Sequence, residues 1–131
     1  MRRLVLALLA VVTVAAGLAV HRLAPEGFAG DAAGDVLYAA LIVLLLALLA
    51  PHAPWWATAA GALAWCGGVE LLQLTALPAR WGAAFPPFRL VLGTTFSPWD
   101  LLWYVLGAAL VGGADGLLRS RRREIPEHAP R

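Results

Sequence analysis

Apolar positions fall into four long runs, separated by segments rich in Pro, Gly and charge. The first runs from Leu4 to Val20, seventeen residues without a charge. The second runs from Val36 to Ala50 and stops at Pro51-His52-Ala53-Pro54. The third runs from Trp55 to Leu77, interrupted by Glu70, Gln73 and Thr75. The fourth runs from Trp99 to Leu118 and carries Asp100 and Asp115. A bilayer core of ~30 Å takes about 20 helical residues. Unpaired backbone groups are so costly in lipid that each run must be a helix. The second run is short, and Gly34 and Asp35 extend it into the head groups. The pattern predicts an all-α integral membrane bundle of four transmembrane helices over residues 1–118. Between the third and fourth helices lies a Pro-rich outer cap, Pro78 to Ser97. Its Phe85-Pro86-Pro87-Phe88 and Leu90-Val91-Leu92 stretches favour the membrane surface. Residues 119–131 form an Arg-rich cytoplasmic tail, too polar to pack and expected to be disordered.

Composition agrees. Hydrophobic residues are 61% and charged residues 14%, against roughly 45–50% and about 25% in soluble domains. This excludes a disordered chain and argues against a soluble enzyme of ordinary composition. The basic residues are all Arg, and their placement sets an orientation. Arg2, Arg3, Arg119, Arg121, Arg122, Arg123 and Arg131 lie on the side of the termini; Arg22, Arg80 and Arg89 lie on the other. The positive-inside bias places both termini in the cytoplasm of a multi-pass protein of the cell (inner) membrane. A rival concerns the first run, since Met1-Arg2-Arg3 before Leu/Ala/Val also resembles a signal peptide. The run exceeds the roughly 7–15 apolar residues of a typical signal, and Ala15, Ala16 and Gly17 make no sharp cleavage site. It is therefore read as a retained span. The lone Cys66 has no partner for a disulfide, and no Cys/His spacing suits a metal. No cofactor or nucleic-acid motif is present.

The carboxylates carry the candidate chemistry, because an acid inside a span costs ~2.5–3.5 kcal/mol on insertion scales. Asp35, placed at the start of the second helix, reads by itself as an N-cap. Ser97-Pro98-Trp99-Asp100 likewise reads as a helix start, with an acid in the first turn. Asp115 stands near the terminal Arg cluster and suits an ion pair there. Glu70 is different. With the third helix running to Leu77, it lies ~10 Å inside the end of that helix, with Gln73 on the same face. Two readings compete for it: a buried tie between helices, or a site. Arg80 and Arg89 in the cap supply planar guanidiniums suited to carboxylates. Asp35, Glu70, Gln73, Arg80, Arg89, Asp100 and Tyr104 are thus the candidate binding residues, gathered in an outward-facing polar cluster. Glu70 is the candidate acid/base. Ala108, Gly112 and Gly116 form a small-residue series that suits close helix contact, within the chain or in a homo-oligomer.

Gly34-Asp35-Val36-Leu37-Tyr38, Glu70-Leu71-Leu72-Gln73-Leu74, Leu92-Gly93-Thr94-Thr95-Phe96-Ser97 and Asp100-Leu101-Leu102 with Tyr104 and Gly107 occur in this order. The set resembles the bacterial membrane family called domain of unknown function 2809, over about residues 1–118. Within it, Glu-x-x-Gln followed by Asp-x-x-x-Tyr-x-x-Gly is similar to the VanZ-like pattern, where an Asn usually stands in place of Tyr104. The resemblance implies a small inner-membrane protein of the cell envelope with no established activity. VanZ-like proteins are linked to teicoplanin resistance, a matter of the outer membrane face.

Three functions compete on these residues. The first is a protein that binds or helps modify a lipid-linked or amphiphilic envelope molecule at the outward polar cluster. The second is an intramembrane enzyme with Glu70 as acid or base. The third is a structural subunit of a membrane complex, in which the cluster only fixes helix register.

Overall fold

The structure is a computed structural model and describes residues 1–123. Among these residues all regular structure is helical, in six elements: α1 (Arg2–Leu23), α2 (Phe28–Leu49), α3 (Trp55–Gln73), α4 (Leu77–Ala84), α5 (Phe88–Leu92) and α6 (Pro98–Arg123). Helices α1, α2 and α6 are each long and apolar enough to cross a membrane. Helices α3 and α4 meet that test only as a pair bent by 91°.

Proline sets most of the boundaries. Ala24 and Ala50 both precede a proline, whose ring disfavours the helical region for the residue before it. Ala24 is extended at φ −72°, ψ 141°, and Ala50 leaves the helix at φ −119°, ψ 71°. At the end of α3, Pro78 cannot donate to Leu74 and its ring would strike that carbonyl, so the helix cannot continue through it. The Thr75 hydroxyl donates back to Leu72 O at 2.7 Å and accepts from Leu77 N at 3.2 Å. One side chain thus closes α3 and helps to open α4.

Three expected boundaries move. Helix α2 starts at Phe28, not near Val36, and takes in Asp31, Gly34 and Asp35. Helix α3 ends at Gln73 rather than Leu77. The cap is not a plain loop, since it folds into α4 and α5. At the other end of the chain α6 runs to Arg123, so residues 119–123 of the expected tail are helical; 124–131 lie outside the described residues.

The four long helices alternate in direction. Arg2, the 51–54 turn and the end of α6 meet at one end: Arg2 Nη1 donates to Pro51 O at 3.3 Å, and Arg119 Nη1 to Ala53 O at 2.8 Å. The interior is built from small side chains. Ala39, Cys66 and Tyr104 form one layer of the α2–α3–α6 core, and Val43, Ala62 and Ala108 the next. Leu6 and Ala10 of α1 pack on Leu44 and Ala47 of α2. Small residues let the backbones approach. A Cβ on Gly107 would collide with the Val36 carbonyl oxygen, and one on Gly116 would stand 2.9 Å from the Trp55 ring. Large apolar side chains point outward instead, including Leu4, Leu8, Val11, Trp56, Leu71, Leu106, Leu110 and Leu117. An exterior of that kind far exceeds the few hundred Å² of apolar patch that a soluble monomer tolerates. Small-inside and large-outside packing marks a membrane protein.

The Ala108–Gly112–Gly116 series is used within the chain. Ala108 is buried against Val43 and Ala62, Gly112 meets Ala59, and Gly116 meets Trp55. It is the seam between α3 and α6.

Candidate functional site

At the end of the bundle opposite Arg2, the helices splay around a cavity of about 670 Å³. The last turns of α1 form one wall, with Gly17, Val20 and His21. One face of α2 forms the next, with Asp31, Gly34, Asp35 and Tyr38 at helical spacing. Val69 and Gln73 of α3, the segment from Leu90 to Ser97, and Asp100 and Tyr104 of α6 complete it. Site-sized pockets typically span about 300–1,000 Å³, so the space suits a small molecule or the head of a lipid.

Five of the seven candidates converge at this end, and two do not. Asp35 lies seven residues into α2, ~10 Å from its first residue. It is therefore no N-cap; Gly27, with φ 141°, holds that position. The helix starts early because Phe28 packs edge-on against Trp103 of α6, with ring centroids 5.6 Å apart. Asp35 Oδ2 is buried with no hydrogen-bond partner. The Asp100 carboxyl group is within hydrogen-bonding reach of Asp35, and Glu70 and Asp31 are further acidic neighbours. Asp100 sits in the first turn of α6, as its sequence context predicts, and its side chain is a cavity wall.

Gln73 ends α3 and holds the cavity floor. Its Nε2 donates to Leu92 O at 2.7 Å, while Oε1 is buried without a partner. Gly93 follows at φ 62°, a left-handed value suited to glycine. A Cβ there would lie 2.6 Å from Gln73 Nε2.

Glu70 joins the cluster in a different role from the other carboxylates. It is 1% exposed and does not line the cavity. Tyr104 Oη donates to Glu70 Oε1 at 2.9 Å, and Ser97 N donates to Oε2 at 3.3 Å. Ser97 immediately precedes α6, so Glu70 does from a neighbouring helix what the acid of a capping box does from its own. Because α3 stops at Gln73, Glu70 is three residues from the helix end, not ~10 Å inside it. A helix-end role was available after all, at the start of α6. Tyr104, buried beneath the cavity, connects the tie to the wall.

Arg80 and Arg89 stay apart. Both are exposed, and neither pairs with a carboxylate. The 91° bend carries α4 off the bundle axis, and the Arg89 stem lies over Gly82, where a Cβ would meet its Cγ at 2.6 Å. The ion pairs among the described residues are at the other end: Arg119 to Asp115 at 2.7 Å and Arg2 to Asp115 at 3.2 Å. Asp115 thus pairs with arginine, as expected.

Some cavity residues escaped the sequence reading. Tyr38, one turn after Asp35, accepts a hydrogen bond from Trp65 Nε1 at 2.8 Å. Its signal was the i, i+3/4 series 31, 34, 35 and 38, hidden while the helix was thought to begin at Val36. Glu26 and His21 also border the space. Among the described residues no three His, Cys, Asp or Glu side chains are grouped as metal ligands would be.

The family model for a protein of unknown function, DUF2809, matches residues 24–108, and the chain belongs to that family. The match covers α2 through the first half of α6 and every candidate residue, and begins just after α1. No curated protein and no solved structure is similar enough to match.

Proposed function

We propose that the protein is a four-crossing protein of the inner membrane that holds an amphiphilic or lipid-linked envelope molecule in the cavity at its acidic end. The observation that carries this reading is the cavity itself, walled by α1, α2, α3 and α6 and containing buried polar atoms without partners. In this reading α3 makes the third crossing, and α4 and α5, turned away by the 91° bend, lie along the membrane surface. The apolar Trp81, Phe85, Phe88 and Val91 are exposed there, as an interfacial segment requires. The Arg distribution then places both termini in the cytoplasm and the cavity on the outer side. An outward cavity also agrees with the VanZ-like pattern of Glu70, Gln73, Asp100 and Gly107. Glu70 as an acid/base has no comparable support, because both of its oxygens are already bonded.

Two measurements test the proposal. A cysteine placed at Ala83 should react with an impermeant reagent on intact cells, and one at Ser120 should not; the reverse pattern overturns the orientation. Mass spectrometry of the protein extracted from its own membrane should find an amphiphile retained at about one per chain. A clean protein after mild extraction counts against the binding reading.

A further inference from the structure

We infer that the cavity receives a primary ammonium group carried on an apolar tail, an inference that rests on the amphiphile-binding reading above. The ionisable groups on its wall are one-sided. Glu26, Asp31, Asp35 and Asp100 face the space against the single His21, while Arg80 and Arg89 lie outside it. A phosphate or carboxylate placed among these four acids would be repelled, so the group that enters between them is a cation.

The unsatisfied atoms sharpen the choice. Asp35 Oδ2 and Gln73 Oε1 are both buried and both lack a partner. Buried polar atoms are nearly always hydrogen-bonded; Gln73 Oε1 is an acceptor and calls for a donor, whereas Asp35 Oδ2 can be met by a donor or by a proton shared with Asp100. Asp35 also has Asp100 within hydrogen-bonding reach, and neighbouring carboxyl groups are relieved either by a shared proton or by positive charge placed between them. A primary ammonium supplies one charge and three donors. A quaternary ammonium supplies the charge without donors, and a hydroxyl supplies a donor without the charge.

The glycines on the wall are a separate observation. At Gly17 and Gly34 no heavy atom lies within 4 Å of where a Cβ would stand. Close helix packing, the reason for Gly107 and Gly116, does not explain them. Glycine weakens a helix relative to alanine. Both border the cavity, and the missing side chains leave it wider. Val20, Val69, Leu90 and Val91 give the remaining wall an apolar part for the tail.

The test uses the full-length protein in phosphatidylcholine nanodiscs, with binding of labelled dodecylamine measured against empty discs. Binding should saturate and exceed that of dodecanol, dodecyltrimethylammonium and dodecyl phosphate by at least about tenfold. Asp35→Asn should weaken dodecylamine by about tenfold and leave dodecanol unchanged; Asp100→Asn serves the same purpose should the first variant melt early. Gly34→Leu should abolish all amphiphile binding at a melting temperature no lower than that of the unaltered protein. Equal affinity for the four head groups, with Gly34→Leu still blocking them, overturns the ammonium assignment and leaves the amphiphile-binding reading standing. Absence of saturable binding by any amphiphile removes both. Competition by dihexanoyl phosphatidylethanolamine identifies a lipid head group as the source of the ammonium. Failure of that lipid to compete, with dodecylamine still bound, identifies a free long-chain amine.

Discussion

The two ends of the bundle treat charge in opposite ways. At the end with the termini, Asp115 sits between Arg2 and Arg119, and the spare guanidinium donors reach the carbonyls of Pro51 and Ala53. Charge of one sign is answered by charge of the other, and the helices close together. At the opposite end Asp31, Asp35 and Asp100 share a space with no arginine in its wall, and the helices stand apart. The first arrangement holds a fold together. Buried polar atoms without a hydrogen bond occur at both ends, on Arg119 at the first and on Asp35 and Gln73 at the second, so what distinguishes the second end is charge of one sign around an open space. The difference, more than depth or charge alone, is what assigns the proposed site to the second end. By the same measure Glu70 belongs with Asp115: it is fully engaged, and it ties α3 to α6.

The largest effect should come from breaking what both ends depend on, the α2–α6 contact. Gly107→Val drives a side chain into the Val36 backbone, and overpacking of that severity should cost about 3 kcal/mol or more. Loss of a monodisperse peak on size exclusion would show it; a normal melt would mean that the helices are not this close. Next comes the contrast between the ends. Asp115→Ala strands two partly buried guanidiniums and should cost about 1–3 kcal/mol. Asp35→Asn removes one of two neighbouring carboxyl groups that face no cation and should be neutral or stabilising. Thermal melts of both in one detergent compare them directly, and equal losses would erase the distinction.

Tyr104→Phe leaves Glu70 buried with one hydrogen bond fewer, so a loss of about 1–2 kcal/mol is expected. Glu70→Gln should cost a similar amount, because its amide must turn a donor toward either Tyr104 Oη or Ser97 N. The double variant should lose less than the two single losses combined, as expected of groups that share a bond. Smallest is Gly34→Ala, which meets open space and should raise stability by about 0.5–1 kcal/mol through helix propensity. A destabilised Gly34→Ala would show that the cavity wall is packed after all.

The long helices were legible because seventeen apolar residues without a charge leave few alternatives. The start of α2 was not. Asp31, Gly34 and Asp35 look like a polar lead-in when helices are found by their apolar content. They are in fact one face of a helix turned toward a cavity, and only the tertiary arrangement shows it. The end of α3 depended on two residues, Thr75 and Pro78, whose joint effect is a right-angle turn. That turn explains why Arg80 and Arg89 were assigned to the cluster: nearness in sequence suggested a pairing that the bend removes. Asp100 and Gln73 were found because a capping pattern and a shared helix face are local properties. Tyr38 was missed for the same reason that the start of α2 was.

Helix α1 is secured unevenly, and that has a mechanical consequence. Its two buried residues, Leu6 and Ala10, and its ion-paired Arg2 all lie in its first half. Gly17, Val20 and His21, which border the cavity, lie in the second. The helix is thus a lever clamped at one end. With ~1.5 Å of rise per residue it is ~33 Å long, so a tilt of about 5° at the clamp swings the far end, tied to α2 by the short turn at residues 24–27, by about 3 Å. The width of the cavity is therefore set largely from the far side of the bundle, by the angle at which the Arg2–Asp115 end holds its helix.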